Sequence, residues 1–271
     1  MINMKTYKQT FENLKNKKEG ALIPFTVIGD PTYKKSLNIS KKIIDAGADA
    51  LELGLPFSDP IADGQTIQAA DLRALNSGIN TDKAFEFVEE LRKYTEIPIG
   101  FLSYYNLIYQ RGIKKFYADS VQAGVNSVLI ADMPIEEYYS VSKYTINEKI
   151  DNVFMVNQLT SDKKIKEIAR ITTGFVYAIS RLGVTGVKPD MKNSTLSLIR
   201  RVKNATNKPL CVGFGISKSS HVKNIIKAGA DGAIVGSAIA SLIEKNIYNK
   251  ERMLHNIYNY VKSMKNATRV L

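Results

Sequence analysis

The chain has 271 residues, 44 % of them apolar, and a formal net charge of +12 at pH 7. This length allows one large domain or two small ones with a substantial core, and no apolar run is long enough to span a membrane. The basic residues are spread along the chain without a stripe of interleaved aromatics, which argues against nucleic-acid binding. A single cysteine, Cys211, and a polar, lysine-rich start without an apolar signal segment favour the cytoplasm.

Apolar periodicity predicts strands and helices that alternate along the chain, after a first amphipathic helix at residues 6–17. The eight predicted strands are residues 21–27, 50–53, 97–103, 127–130, 152–156, 175–179, 210–212 and 232–235. Further helices are predicted at residues 32–46, 81–94, 113–123, 135–147, 161–171, 194–204, 218–228 and 251–264. The alternation of apolar strands with helices indicates a parallel sheet.

Three segments repeat one pattern, in which a helix ends at a glycine and a buried strand follows after a short turn. They begin at Ala46, Ala123 and Ala228, and their spacing fits whole numbers of one strand–helix module. Eight such modules predict an α/β fold, a single (β/α)8 TIM barrel over residues 1–271, with residues 1–20 as an extra N-terminal helix packed on it. An open, doubly wound parallel sheet is the alternative.

Two acidic residues are candidates for catalysis in the stretch from residue 50 to residue 64. Glu52 lies inside a short buried strand, where its side chain would point into the barrel and burial would raise its pKa into a range suited to proton transfer. Asp63 lies in the Pro- and Gly-rich loop that follows, at the strand ends where barrels place their chemistry. The alternatives are a structural Glu52 held by backbone amides and an Asp63 that caps the next helix.

Residue types that are missing from the strand ends exclude several classes of site. The only histidines, His221 and His255, both fall in predicted helices, which excludes a histidine-based triad and a histidine-rich metal site. No lysine lies in a predicted strand, which argues against Schiff-base chemistry. The sequence therefore predicts no metal in the site and leaves carboxylates, glycines and aromatics as its working groups.

Glycine-rich turns follow the last three predicted strands, at residues 183–186, 213–217 and 236–237. Glycines let backbone N–H groups approach an anion closely, so the three turns together predict a phosphate site, with ordinary turn glycines as the alternative. Apolar side chains near the strand ends would complete a pocket for a flat ligand, unless they serve only as barrel core. These side chains are Phe25, Leu102, Leu129, Tyr177 and Phe214.

The stretch Glu52-Leu-Gly-Leu-Pro-Phe-Ser-Asp-Pro-Ile-Ala-Asp-Gly64 closely resembles the signature of the tryptophan synthase alpha subunit family. The likeness extends from Ile23 to about Glu244 and includes Tyr104 and the three glycine-rich turns. The chain departs from the residues usual in the family at Gln65, Ser103, Tyr105 and residues 157–159.

The resemblance implies a lyase of tryptophan biosynthesis that cleaves indole-3-glycerol phosphate by a retro-aldol reaction to indole and glyceraldehyde 3-phosphate. It assigns Glu52 as the general acid and base and Asp63 as the partner of the indole N–H, with Tyr177 beside them. The substrate-binding residues that it implies are Tyr177, Thr185, Gly186, Gly213, Gly236 and Ser237, which join the pocket side chains Phe25, Leu102, Leu129 and Phe214. Of these, Thr185 and Gly186 would belong to a mobile loop.

The resemblance also implies a partner, a pyridoxal-phosphate-dependent beta subunit that receives the indole in an alpha2beta2 heterotetramer. No cofactor is expected in this chain itself. Two alternatives are a stand-alone lyase without a beta partner and a non-catalytic, phosphate-binding regulatory barrel. A regulatory barrel would lose an acid, whereas both are present here, and a phosphate-sugar isomerase would need a histidine or lysine at a strand end.

Overall fold

The computed structural model describes residues 4–180 and 193–270, which contain nine strands and twelve α-helices. The strands are β1 (Ala21–Val27), β2 (Leu51–Gly54), β3 (Ile99–Ser103), β4 (Ser127–Ile130), β5 (Asp151–Asn152), β6 (Phe154–Val156), β7 (Val176–Ile179), β8 (Leu210–Gly213) and β9 (Gly232–Val235). The helices are α1 (Tyr7–Asn16), α2 (Tyr33–Asp45), α3 (Gln65–Asn76), α4 (Thr81–Arg92), α5 (Tyr105–Arg111), α6 (Ile113–Ala123), α7 (Tyr139–Glu148), α8 (Asp162–Ile171), α9 (Asn193–Ala205), α10 (Ser219–Lys227), α11 (Ser237–Lys245) and α12 (Lys250–Asn266).

The strands form one parallel sheet in the order β5-β4-β3-β2-β1-β9-β8-β7-β6. The two outer strands, β5 and β6, are consecutive in the chain and are separated only by Val153. The first pairs with β4 and the second with β7, so the predicted fifth strand spans the seam of the sheet in two pieces. The predicted barrel is thereby confirmed, and the open sheet is not formed.

The expected extra helix, α1, begins at a capping box in which Thr6 and Gln9 satisfy each other's backbone N–H groups. Its buried Tyr7 reaches the barrel, where the Ser127 hydroxyl donates a 3.1 Å hydrogen bond to the Tyr7 oxygen. A side chain at Gly100 would collide with both hydroxyls, so the small residue there makes room for Tyr7. Helix α1, which is not part of the strand–helix repeat, thus packs its Tyr7 side chain against the barrel strands.

An ion cluster around a buried lysine joins the last helix to the start of the barrel. Lys265 of α12 lies 2.9 Å from an Asp49 oxygen and 3.1 Å from a Glu19 oxygen. The same Asp49 oxygen accepts a 2.7 Å hydrogen bond from the backbone N–H of Leu22 in β1. The lysine is buried and its two acidic partners are partly buried, and their pairing offsets the cost of removing its charge from water.

The sequence analysis did not predict the helices α5 and α11, and it anticipated α3 only through a possible helix cap at Asp63. Because α5 has only seven residues and α11 begins directly after a glycine, neither gives a long apolar period. Within residues 4–180 and 193–270, no helix combines the length and the apolar character needed to cross a membrane.

Candidate active site

Glu52 is a buried acid in the middle of β2, in register with Phe25 on one side and Gly100 on the other. Its residue exposure is 4 %, and within the described part of the chain its Oε2 atom has no hydrogen-bond partner. Burial, assisted by the charge of Asp63, raises the pKa of Glu52 to about 8. The carboxyl is therefore protonated at neutral pH, and its free oxygen argues against the alternative of a glutamate fully bonded to backbone amides.

Asp63 lies in the loop between β2 and α3 and is 8 % exposed. Its Oδ2 atom accepts a 2.6 Å hydrogen bond from the hydroxyl of Tyr104. Burial raises the pKa of Asp63, and this hydrogen bond opposes the rise because it favours the charged form. The N-cap of α3 is Gly64, without a side-chain cap, so the carboxyl of Asp63 is not used to cap that helix.

Tyr104 is a site residue that the sequence reasoning noted only as part of the resemblance. It follows β3 directly, and its hydroxyl accepts a 3.0 Å hydrogen bond from the N–H of Ala62 while it donates to Asp63. Its ring stacks on Phe57, with 4.9 Å between ring centroids. The position at a strand end was the available signal, but the contact with Asp63 bridges 41 residues.

Tyr177 of β7 lies within the electrostatic reach of both acids. It is buried, and after burial the charges of Glu52 and Asp63 are among the causes that raise its pKa. Its ring packs edge-on against Phe214 at 5.8 Å between centroids. The hydroxyl lies so near the Cα of Gly213 that any side chain at that position would overlap it.

The remaining predicted pocket residues surround the same end of the barrel. Leu102 and Leu129 are register partners in β3 and β4 and are both buried. Phe25 packs so closely on Gly236 that a Cβ there would lie 2.9 Å from the ring. The structure thus places Phe25 and Leu102 on the two strands that flank β2, which carries Glu52, and Leu129 on the next strand after β3.

Two of the predicted glycine turns are present at adjacent strand ends. Gly213 ends β8 and is followed by Phe214 and Gly215, both in the left-handed region with φ of 61° and 85°. Gly236 follows β9 and is the N-cap of α11, which begins at the exposed Ser237. A helix N-terminus with half-buried glycine beside it favours an anion through its free N–H groups and its dipole.

Two predicted residues, Thr185 and Gly186, lie outside the described residues, as does the first glycine turn. Asp59, the other acid of the loop that carries Asp63, is exposed and accepts a hydrogen bond from Ser58. Among residues 4–180 and 193–270, no group of three or more His, Cys, Asp or Glu side chains could hold a metal ion.

Comparison with known proteins agrees with this arrangement. The sequence profile of the family described as tryptophan synthase alpha chain matches residues 11–269. The tryptophan synthase alpha chain of Methanothermobacter thermautotrophicus is 46 % identical over 247 residues, which cover 91 % of this chain and 92 % of the relative. That of Methanoregula boonei is 48 % identical over 93 % of this chain and 95 % of the relative.

A solved structure of the tryptophan synthase A-subunit from Pyrococcus furiosus superimposes with a TM-score of 0.84 at 36 % identity, covering 91 % of this chain and 98 % of that one. Family profile, sequence identity and fold therefore agree over nearly the whole length. The chain belongs to the tryptophan synthase alpha chain family.

Proposed function

We propose that Glu52 and Asp63 carry out the reaction of this family in the chain. That reaction is the retro-aldol cleavage of indole-3-glycerol phosphate to indole and glyceraldehyde 3-phosphate in tryptophan biosynthesis. The observation that carries the assignment is the buried, protonated carboxyl of Glu52, whose Oε2 atom has no partner in the described residues. A group of this kind is ready to give a proton to a substrate atom placed against it.

In the first step the Glu52 carboxyl donates its proton to the indole carbon that bears the glycerol chain, while the Asp63 carboxylate accepts the proton of the indole N–H. The ring becomes a neutral indolenine. The Glu52 carboxylate then removes the proton of the neighbouring glycerol hydroxyl. The carbon–carbon bond breaks, its electron pair returns to the ring, and Asp63 returns the proton to nitrogen. The hydroxyl carbon becomes the aldehyde of glyceraldehyde 3-phosphate, and both carboxyl groups regain their starting states.

The electrostatics of the two acids support these different roles. Glu52 must act first as an acid and then as a base, and a pKa of about 8 suits both directions near neutral pH. Asp63 must be charged at the start, and the hydrogen bond from Tyr104 favours that charged form. Environments that keep one carboxyl group protonated and the other charged are typical of catalytic acid–base pairs.

The substrate would lie with its indole ring among Phe25, Leu102, Leu129, Tyr177 and Phe214. Its phosphate would lie against the backbone of Gly213, Gly236 and Ser237, where the N-terminus of α11 favours an anion. We assign Thr185 and Gly186 to the loop that closes over the substrate, on the resemblance alone. The positive net charge of the chain favours the approach of an anionic substrate.

The partner that we propose is a pyridoxal-phosphate-dependent beta subunit, which takes up the indole in an alpha2beta2 heterotetramer. A chain with this fold occurs in a solved tryptophan synthase complex from Pyrococcus furiosus, with a TM-score of 0.83. The cleavage as written needs no cofactor in this chain, because every proton moves to or from a carboxyl group. The one cysteine, Cys211, is free and buried, as expected for an enzyme of the reducing cytoplasm, where we propose that this chain acts.

The test is the release of indole from indole-3-glycerol phosphate by the purified full chain, alone and with a beta subunit. We expect indole release that the beta subunit accelerates, and a loss of about a hundredfold or more in Glu52→Gln, which keeps the size of the side chain and removes proton transfer. Equal rates with and without the beta subunit would favour the stand-alone lyase. No indole in either case would favour the regulatory barrel.

A further inference from the structure

Asp71 is a second buried acid near the site that the proposed mechanism does not use. It lies on α3, eight residues after Asp63, and is 4 % exposed. Its Oδ2 atom has no hydrogen-bond partner among the described residues. A buried carboxyl oxygen without a partner is destabilising, and an apolar residue of similar size would suit a purely structural position at least as well.

The surroundings of Asp71 lead to the active site. The backbone N–H of Phe57, a residue in the loop that also carries Asp63, acts on the Asp71 carboxyl and opposes the rise of its pKa. The ring of Phe57 stacks on Tyr104, with an angle of 26° between the ring planes. The Tyr104 hydroxyl then donates to Asp63. A continuous set of contacts therefore runs from Asp71 to the acid that faces the indole nitrogen.

The charged groups around Asp71 determine its protonation. The negative charges of Asp63 and Asp30 both act to raise the pKa of Asp71, and Arg73 holds Asp30 through two hydrogen bonds of 2.7 and 3.0 Å. Burial, followed by the charge of Asp63, raises the pKa of Asp71 to about 8. Asp71 is consequently uncharged at neutral pH, so it can hold Phe57 without adding a negative charge beside Asp63 and Tyr104.

We propose that Asp71 is a positioning residue for Asp63, acting through the backbone of Phe57 and the ring and hydroxyl of Tyr104. This inference rests on the proposed role of Asp63 in the cleavage reaction. Asp71 itself touches no substrate. Its removal would leave the substrate-binding surfaces in place and let Phe57, and with it Tyr104, move away from the orientation that fixes the Asp63 carboxylate. Small misplacements of a catalytic group are costly, up to about a hundredfold for a shift near 1 Å.

Two substitutions at Asp71 separate positioning from bulk structure. Asp71→Asn keeps an uncharged acceptor for the Phe57 N–H, and Asp71→Leu removes it while filling the same space. We expect Asp71→Asn to stay within about twofold of the wild-type kcat at pH 7. We expect Asp71→Leu to lower kcat about tenfold, with KM changed less than about twofold and thermal stability unchanged or higher. Leu72→Ala, at the exposed neighbour of Asp71, is the matched control in the free chain and should keep wild-type activity.

A double-mutant cycle with Tyr104→Phe tests the route of the effect. Because Asp71 acts through Tyr104, the double variant Asp71→Leu/Tyr104→Phe should have a kcat within about twofold of that of Tyr104→Phe alone. The inference would be overturned if Asp71→Asn and Asp71→Leu lowered kcat equally, or if the effect were confined to KM. It would also be overturned if Asp71→Leu kept the wild-type kcat, or if the losses of kcat in the cycle were fully additive. Glu52→Gln is measured in parallel. If that variant remains active the proposed function fails, whereas an inactive Glu52→Gln with a fully active Asp71→Leu rejects the positioning role alone.

Discussion

The hydroxyl of Tyr104 donates a 2.6 Å hydrogen bond to Oδ2 of Asp63, and the same hydroxyl accepts one of 3.0 Å from Ala62, the residue before it. The strand-end tyrosine therefore holds both the backbone and the side chain of the loop that carries the second acid. Loops are usually the mobile part of a barrel, so a catalytic group on a loop needs an anchor of this kind.

Tyr104→Phe should lower kcat about tenfold while the variant remains folded. The substitution keeps the ring that stacks on Phe57 and removes only the hydroxyl, so Asp63 loses a hydrogen bond to its charged form, worth about 1.5–3 kcal/mol. The pKa of Asp63 should rise, and the acidic limb of the rate profile should move to higher pH. Steady-state kinetics from pH 5 to pH 8 measure both effects. A rate profile identical to that of the wild type would show that the hydroxyl does not act on Asp63.

Asp63→Asn should lower kcat more than it raises KM. Asp63 is proposed to act on the indole nitrogen as its proton leaves, so its contribution is greater in the transition state than in the bound substrate. The amide can still accept the hydrogen bond from Tyr104, which keeps the loop in place. Steady-state kinetics with indole-3-glycerol phosphate provide the measurement. An increase in KM at constant kcat would instead assign Asp63 to ground-state binding.

Glu52→Gln should stabilise the chain at alkaline pH. The folded-state pKa of Glu52 is about 8, against 4.5 for an ordinary glutamate, so between these values the folded chain keeps a proton that the unfolded chain releases. The free energy of unfolding therefore falls as pH rises through this window, by on the order of a few kcal/mol. Glutamine has no proton to lose and should remove most of this fall.

Urea unfolding at pH 5 and at pH 8 provides the measurement, with Glu12→Gln as a control at an exposed glutamate. The control should follow the wild type at both pH values. The buried Asp71 should add a fall of the same sign, since its pKa is raised in the same way. If Glu52→Gln and the wild type lose equal stability between pH 5 and pH 8, Glu52 is not protonated in the fold.

Much of the barrel could be predicted because period-two and period-3.6 patterns are local properties of the sequence. Glu52 was identified for the same reason, as an acid inside an apolar strand. The hydrogen bond from Tyr104 to Asp63 and the interaction of Asp71 with the Phe57 backbone could not be predicted. Each joins residues of different structural elements, and local sequence patterns do not show how such elements pack together. The break at Val153 was also hidden, because the apolar run continues across the seam.

Adding either a methyl group or a negative charge at Gly236 should lower the affinity of the chain for phosphate. A Cβ there would lie 2.9 Å from the Phe25 ring, so Gly236→Ala must displace a residue proposed to line the pocket. Gly236→Asp adds a negative charge at the N-terminus of α11, where the phosphate is proposed to bind. We expect Gly236→Ala to weaken binding of glycerol 3-phosphate about tenfold and Gly236→Asp to weaken it further, because the added charge repels the phosphate.

Calorimetric titration with glycerol 3-phosphate, at two ionic strengths, separates the two causes. Salt screens charge but does not relieve overlap, so higher salt should narrow the gap between the Asp and Ala variants and leave the loss caused by the methyl group itself. Gly174→Ala is the control, because a Cβ at Gly174 would also be tightly packed, at 3.3 Å from Asp151 and Val153, but Gly174 lies before β7, at the opposite end of that strand from the site. It should bind as the wild type does. Wild-type affinity in Gly236→Asp would move the phosphate away from α11 and leave the turn after β8 as the remaining described candidate.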